Sequence, residues 1–434
     1  MYRFLNKLKL VLKKNLAKNI FTQIKIFIST IWFQIIFTPL MLYSLDVEKF
    51  SLWIFLFSFP LFFLVFEITV TGPTRNEMSI LYNQGRKDNL EILFHNSIFL
   101  LVLNSLLILF LFILFINFID NEIIQDNYIT AIILIISVIV VQFHGLFNIL
   151  LTYKGSEEDW NNNFFLFKII NPVVIPFVAF LSKDLLFCSL ILLGLNIIQF
   201  YHLYFKYINS KNEISLSFKI ANISLLKLKY LLNKSYGFNI ELISNIIKHP
   251  GLIFILGLKH DILSTAIIAS AKTMFYFVPL KLVTIITTPL ELEFTKYFSL
   301  NKSKEELNKI IINAFAIIIL FTLIFCLFCY FYGIFFFNLW VNNKIFLNSV
   351  LLVLILLDVF FTIVGNFFIL LQKSHNKYKE VSFIEILINV SIFIYFYNFM
   401  NNLSLNQVYL TITLASLTIM IIKIISFIKY VIIK

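Results

Sequence analysis

The chain has 434 residues, 60% of them hydrophobic and only 13% charged, with 53 phenylalanines and a formal net charge of +12. A soluble domain carries about 25% charged residues, so this composition excludes one and predicts an all-α, polytopic membrane protein whose surface mostly faces lipid. The positive charge does not point to nucleic acid, because the lysines and arginines fall between apolar runs, where membrane topology places them.

Residues 1–20 hold Arg3, Lys7, Lys9, Lys13, Lys14 and Lys18 without an acid. No small-residue cleavage site follows, so they read as an uncleaved cytoplasmic or interfacial segment. With about 20 apolar residues per bilayer crossing, spans are expected near 21–43, 52–70, 93–117, 129–152, 164–182 and 185–205. Span one carries Gln23, Thr30, Gln34 and Thr38 within about 80° of each other at 100° per residue, a polar stripe on a helix otherwise suited to lipid. Lys25 and Glu67 sit near cytoplasmic ends and read as snorkelling side chains. Lys168 and two prolines interrupt 164–182. His144 and His202 read as packing or interface residues.

The segment 206–238 is basic and amphipathic, and is expected to link two halves. A second set of spans follows near 239–258, 267–290, 309–335, 346–371, 381–399 and 407–429. Span seven places Glu241, Ser244, Lys248 and Gly251 within about 80° on one face. Lys248 lies ~15 Å into that span at 1.5 Å per residue, too deep to snorkel comfortably, and Pro250 would free carbonyls beside it. Span eight carries Lys272 and Lys281, which fall on opposite sides of a straight helix unless Pro279 bends it; Tyr276 accompanies Lys272, and Ser270 and Thr288 accompany Lys281. Cys326 and Cys329, like Cys188, lie in apolar runs and read as buried small hydrophobes, with no metal-ligating partner nearby. Asp358 stands in the middle of span ten. A charge there costs about 2.5–3.5 kcal/mol to insert, so Asp358, with Glu241, is a candidate for H+ or Na+ coupling, against a role as partner of a lysine or in helix packing.

Orientation follows from the basic residues. Alternate connections hold Arg75, Arg86 and Lys87, Lys154, the lysines of 206–234 and 296–309, Lys373, Lys377 and Lys379, and the C-terminal lysines including Lys423; the opposite connections hold only Lys49, Lys183, Lys259 and Lys344. Both termini are therefore expected in the cytoplasm, in a multi-pass cell (inner) membrane protein.

A self-match links the halves. Thr71-Gly72-Pro73-Thr74-Arg75-Asn76-Glu77-Met78-Ser79 and Thr287-Thr288-Pro289-Leu290-Glu291-Leu292-Glu293-Phe294-Thr295 share Thr-x-Pro-x-x-x-Glu-x-Ser/Thr and stand about half the chain apart. The expected organisation is two six-helix bundles, 21–205 and 239–434, around a central cavity, related by an axis along the membrane normal.

The stretch Ala269-Ser270-Ala271-Lys272-Thr273-Met274-Phe275-Tyr276, followed by Pro289 and the segment ending Glu305-Glu306-Leu307, resembles the eighth span and loop of the O-antigen and capsule polysaccharide flippases. These belong to the multidrug/oligosaccharidyl-lipid/polysaccharide exporter superfamily. The opening Phe37-Thr38-Pro39-Leu40-Met41-Leu42-Tyr43 is similar to that family's first hairpin, and the chain departs from it in reading Phe66-Glu67-Ile68-Thr69 where the family often has Asp-Leu-Gly. The resemblance implies transport of a polyprenyl-diphosphate-linked oligosaccharide, as in lipopolysaccharide assembly, without cofactor or metal. Lys248, Lys272 or Lys281 would meet the diphosphate, and Gln34, Thr30, Ser244 and Tyr276 the sugar hydroxyls. Other glycan-assembly membrane proteins would be its neighbours. Two alternatives remain: a multidrug or metabolite exporter of the same superfamily, which would want an acidic cavity, and a membrane-embedded polysaccharide polymerase or ligase, which normally needs a long outer loop. No nucleotide loop, metal cluster or catalytic nucleophile constellation is present in the sequence.

Overall fold

A computed structural model describes residues 14–67, 70–119, 121–152, 158–209, 223–285, 287, 290, 304–374 and 378–429. Among them every regular element is helical: α1 Lys14–Ser44, α2 Val47–Phe63, α3 Thr71–Asn83, α4 Lys87–Phe118, α5 Tyr128–Thr152, α6 Glu158–Ser182, α7 Leu185–Asn209, α8 Leu225–Ile246, α9 Leu252–Lys259, α10 Ile262–Lys272, α11 Lys304–Trp340, α12 Ser349–Ser374, α13 Lys379–Phe399 and α14 Leu405–Phe427, with shorter turns between. Among the described residues twelve helices are long and apolar enough to cross a membrane, as expected; these spans include Phe27–Ser44, Val47–Phe66, Asn239–Lys259, Ile262–Ile285 and Ser349–Lys373. The fifth, Trp160–Ser182, runs unbroken through Lys168, Pro172 and Pro176. Span seven is α8 and α9 joined by a π-turn at Ile247–Gly251, and span eight continues from α10 through a π-turn at Thr273–Phe277 to residue 285.

The helices form two compact units: Ile36–Ala269 with Ser382–Leu403, and Met1–Ile35 with Ser270–Val381 and Ser404–Lys434. The first is built on phenylalanine. Phe55, Phe59, Phe62 and Phe63 recur at helical spacing on α2; Phe254 stacks on Phe59 and Phe62 (each 5.1 Å between ring centres), and Phe112 packs at 4.6 Å from Phe59. Gly257 lets this happen, since a Cβ there would lie 2.0 Å from the Phe55 ring. Across α5, α6 and α7 the contacts are polar. Asn196 donates to Ser137 Oγ (2.7 Å), His144 meets the Asn196 carbonyl (3.0 Å), and Gln199 donates to Asn163, which contacts His202. Both histidines therefore pack between helices. Small polar side chains bind helices together in lipid by hydrogen bonds where glycine contacts are few.

In this same unit, Pro73 stands in the first turn of α3 rather than ending the preceding span. A proline is tolerated there because the N–H it lacks would have no helical partner. Glu77 of the same motif pairs with Lys234 of α8 at 3.1 Å, which raises the lysine's pKa. The matching motif near Pro289 lies almost wholly outside the described residues.

In the second unit α12 and α14 run side by side. Gln372 donates to the Lys423 carbonyl (2.8 Å), and Lys423 Nζ lies 3.4 Å from Asn366 Oδ1. Lys423, expected among the cytoplasmic charges of the C-terminus, is instead buried within span twelve. Its stem packs against Gly365.

Candidate functional site

The unit holding span eight contains six of the expected site residues: Thr30, Gln34, Lys272, Tyr276, Lys281 and Asp358. Pro279 cannot donate to the carbonyl of Phe275, and the helix takes up the defect as the wide turn Thr273–Phe277 just before it. Lys272 caps this turn and is buried, with 1% of its surface exposed, whereas Lys281 is exposed. The two lysines that helical geometry left equivalent are thus separated. Lys272 Nζ lies over the Tyr276 ring, 5.4 Å from its centre.

From Tyr276 a chain of hydroxyls leads to Asp358. Tyr276 Oη donates to Thr362 Oγ1 (3.3 Å), Thr362 Oγ1 to Asp358 Oδ1 (3.4 Å), and Ser416 Oγ to the same oxygen at 2.5 Å. Asp358 is completely buried. Tyr409 lies near enough for Asp358 and Tyr276 to act on it electrostatically, and its own buried hydroxyl has no hydrogen-bond partner among the described residues. A carboxylate held by hydroxyls in a low-dielectric core can exchange a proton or hold a small cation, with Tyr276 reached through Thr362 and Lys272 beyond it over the Tyr276 ring. Thr362, Ser416 and Tyr409 were missed in the sequence. The signal was present in the helical spacing of Tyr409, Thr413 and Ser416 on span twelve, and in Thr362 four residues after Asp358.

Gln34 does not join this group. It lines a separate cavity of about 560 Å³ between α1, residues 273–278 and α11, walled by Phe275, Phe328, Phe336 and Trp340. Its Oε1 is buried without a hydrogen-bond partner among the described residues. Thr30, one helical turn earlier, is buried. Cys329 also lines this cavity, and Cys326 Sγ rests 3.7 Å from the Leu356 carbonyl; both are free thiols, as is Cys188.

The other unit contains Glu241, Ser244 and Lys248. Ser244 is buried and accepts from Asn389 Nδ2 at 2.8 Å, Lys248 is half-buried in the π-turn, and Glu241 is exposed. Gly251, in the same turn, leaves room for the stacked pair Phe62 and Phe393, which a Cβ would approach to 3.2 and 3.3 Å. The expected stripe therefore straddles the edge of a packed face, with Ser244 and Gly251 inside it and Glu241 beyond. Glu67, expected to snorkel, is half-buried one residue past the Val47–Phe66 span, where burial pushes its carboxyl up to about 7 against the opposing effect of Gln142.

Three solved structures place this architecture. An inward-facing multidrug resistance MATE family transporter of the MOP superfamily superposes with a TM-score of 0.65 over 93% of each chain at 13% identity. An outward-facing structure of such a transporter gives 0.58 over 94% of each at 13%. A MOP superfamily transporter from Pyrococcus furiosus, described as having a binding pocket of reverse polarity that suggests a different function, gives 0.55 over 93% of this chain and 94% of its own at 12%. The fold is that of these transporters. No family model matches the sequence, and no curated protein matches it.

Proposed function

We propose that this chain is a transporter of the MOP superfamily that carries a polyprenyl-diphosphate-linked oligosaccharide from the inner to the outer leaflet of the cytoplasmic membrane, with both termini inside and no covalent step. The observation that carries this reading is Lys272. A lysine with 1% exposure, inside a membrane span and at a π-turn, is costly to retain unless it has a task. An ammonium suits a diphosphate, and the adjoining phenol and hydroxyls suit a sugar. Lys248, at the π-turn of span seven, is the second candidate for the diphosphate, and Ser244 and Gln34 for secondary contacts. Alternating access, with halves 21–205 and 239–434 rocking, fits solved inward- and outward-facing relatives in fold. Asp358 would couple the cycle to H+ or Na+.

One observation favours a second reading, export of cationic drugs or metabolites: the fully buried Asp358 is acidic, and the structures alike in fold include multidrug transporters. The experiment that separates them is deletion of the gene followed by analysis of lipid-linked glycans and drug susceptibility. Accumulation of an inner-leaflet glycan lipid, rescued by wild type, partly by Lys272→Arg, and not by Lys272→Ala or Lys272→Glu at equal protein level, supports the flippase. Unchanged glycan lipids with heightened drug sensitivity would replace it with the exporter.

A further inference from the structure

We propose that the cavity between α1, span eight and α11 is a binding site for one hydrocarbon chain, the prenyl tail of the carried lipid. This rests on the flippase reading and adds to it a second, separate subsite.

Size and chemistry select the ligand. At about 560 Å³ the cavity lies within the 300–1,000 Å³ range of small-molecule sites. At roughly 30 Å³ per water-sized group, it accommodates on the order of twenty carbons. Its walls are aromatic and aliphatic apart from Gln34, Thr273 and Cys329, and no charged side chain among the described residues lines it. A phosphate or saccharide would lose its hydration there with almost nothing in return.

The way in is from lipid. Phe328 and Phe336 line the cavity and are 49% and 40% exposed, and along α11 they continue into the exposed Leu327, Phe331 and Phe335. Because span nine is a membrane span, this face meets acyl chains and not water.

The site is also shaped in advance. Gly333 has no side chain where a Cβ would meet Phe275 and Leu352 at 3.2 Å, and Trp340 is pinned by a hydrogen bond from its indole to the Ile35 carbonyl. The π-turn ties the cavity to the polar site. Thr273 and Phe275 face the cavity, while Tyr276 of the same turn donates to Thr362 and has the adjoining Lys272 Nζ over its ring. A lipid with its tail in the cavity would therefore have its headgroup tethered within reach of Lys272, and only the headgroup need change surroundings during transport.

The test uses the purified full chain in nanodiscs of phosphatidylethanolamine and phosphatidylglycerol, with a long-chain polyprenyl phosphate bearing a diazirine midway along its chain. After photolysis, adducts should map to 273–278 and to α11 around Phe328 and Phe336. Unlabelled polyprenyl phosphate should displace them and added phosphatidylglycerol should not. Cys329→Trp and, on the opposite wall, Val278→Trp fill the cavity and should lose the adducts, while Cys329→Ser keeps them; size-exclusion profiles identify whichever filled variant is folded. Adducts that map elsewhere, that persist in a folded filled variant, or that phosphatidylglycerol displaces equally well would overturn the assignment, the last by showing an ordinary phospholipid chain there. Because the probe lacks a saccharide and the readout is not export, failure here and failure of the flippase reading are separately visible.

Discussion

The indole of Trp340 donates to the main-chain carbonyl of Ile35 at 2.7 Å. That carbonyl is the one Pro39 cannot serve, since proline lacks the N–H that would close the helical bond four residues back. Trp340 replaces it, so the proline in α1 and the tryptophan at the end of α11 form one device. Trp340→Phe should strand the carbonyl and lower stability by about 1–3 kcal/mol, seen as a drop in thermal midpoint in detergent. Pro39→Ala restores a helical donor, so the double variant should be less impaired than the sum of the singles. Strict additivity would show that the indole bond contributes nothing.

Glycine positions give a paired prediction. At Gly257 a Cβ would enter the ring of Phe55, itself buried and stacked on Phe254, while at Gly194 nothing lies within 4 Å. Gly257→Ala should destabilise by about 1–3 kcal/mol through overpacking. Gly194→Ala should stabilise by roughly 0.5–1 kcal/mol through helix propensity. Thermal midpoints moving in the same direction would contradict the packing described for α2 and α9.

The twelve spans were legible because a bilayer demands long apolar runs that few other structures need. The phenylalanine-built core is foreshadowed by composition, with 53 phenylalanines against 10 glycines. The choice between Lys272 and Lys281 was not. A helical wheel assumes one turn angle, and the π-turn at Thr273–Phe277 lies between the two lysines and changes the register. Lys423 differs for a related reason: its place near the C-terminus groups it with the cytoplasmic charges, whereas Gly365 of span ten opens a slot for its stem beside span twelve. The Asp358 hydroxyl chain was half visible, because Ser416 comes from a helix 58 positions away in sequence and no local pattern pairs them.

Glu67 carries a pH signature. Burial raises its carboxyl from the ordinary 4.5 to about 7, so the folded state favours the protonated form. Relative to the unfolded chain, the penalty for ionising begins above about 4.5 and is complete above about 7. Glu67→Gln, which cannot ionise, should therefore raise the thermal midpoint at pH 8 and leave it nearly unchanged at pH 4. An equal shift at both values would mean that Gln acts there through packing or hydrogen bonding alone.

The distribution of basic residues predicts sidedness. In a background with Cys188, Cys326 and Cys329 replaced by Ser or Ala, single cysteines at Lys49 and Lys344 should react with an impermeant thiol reagent in intact cells. Cysteines at Arg86 and Lys229 should react only after lysis. Labelling of the second pair in intact cells would invert the topology.

Asp358 distinguishes coupling from scaffolding. Ser416 and Thr362 both direct hydroxyls at one oxygen of its carboxyl. Asn can keep an acceptor at that position but cannot take up a proton and holds a cation poorly. If the carboxylate only organises α12 against α14, Asp358→Asn should transport at close to the wild-type rate, and Asp358→Leu should fail through misfolding as the two hydroxyls lose their acceptor. If it couples transport to an ion, Asp358→Asn should fold, bind the headgroup probe and still not respond to a gradient. The measurement is flipping of a fluorescent polyprenyl-diphosphate disaccharide in proteoliposomes under imposed proton or sodium gradients, with thermal midpoints recorded alongside. Ser416→Ala refines it: it removes a hydroxyl 2.5 Å from Asp358 Oδ1, so a proton gradient should drive flipping less effectively. Sodium coupling would lose apparent sodium affinity instead. Full gradient response in Asp358→Asn would assign the residue to helix packing and send the search for the coupling group to Glu241.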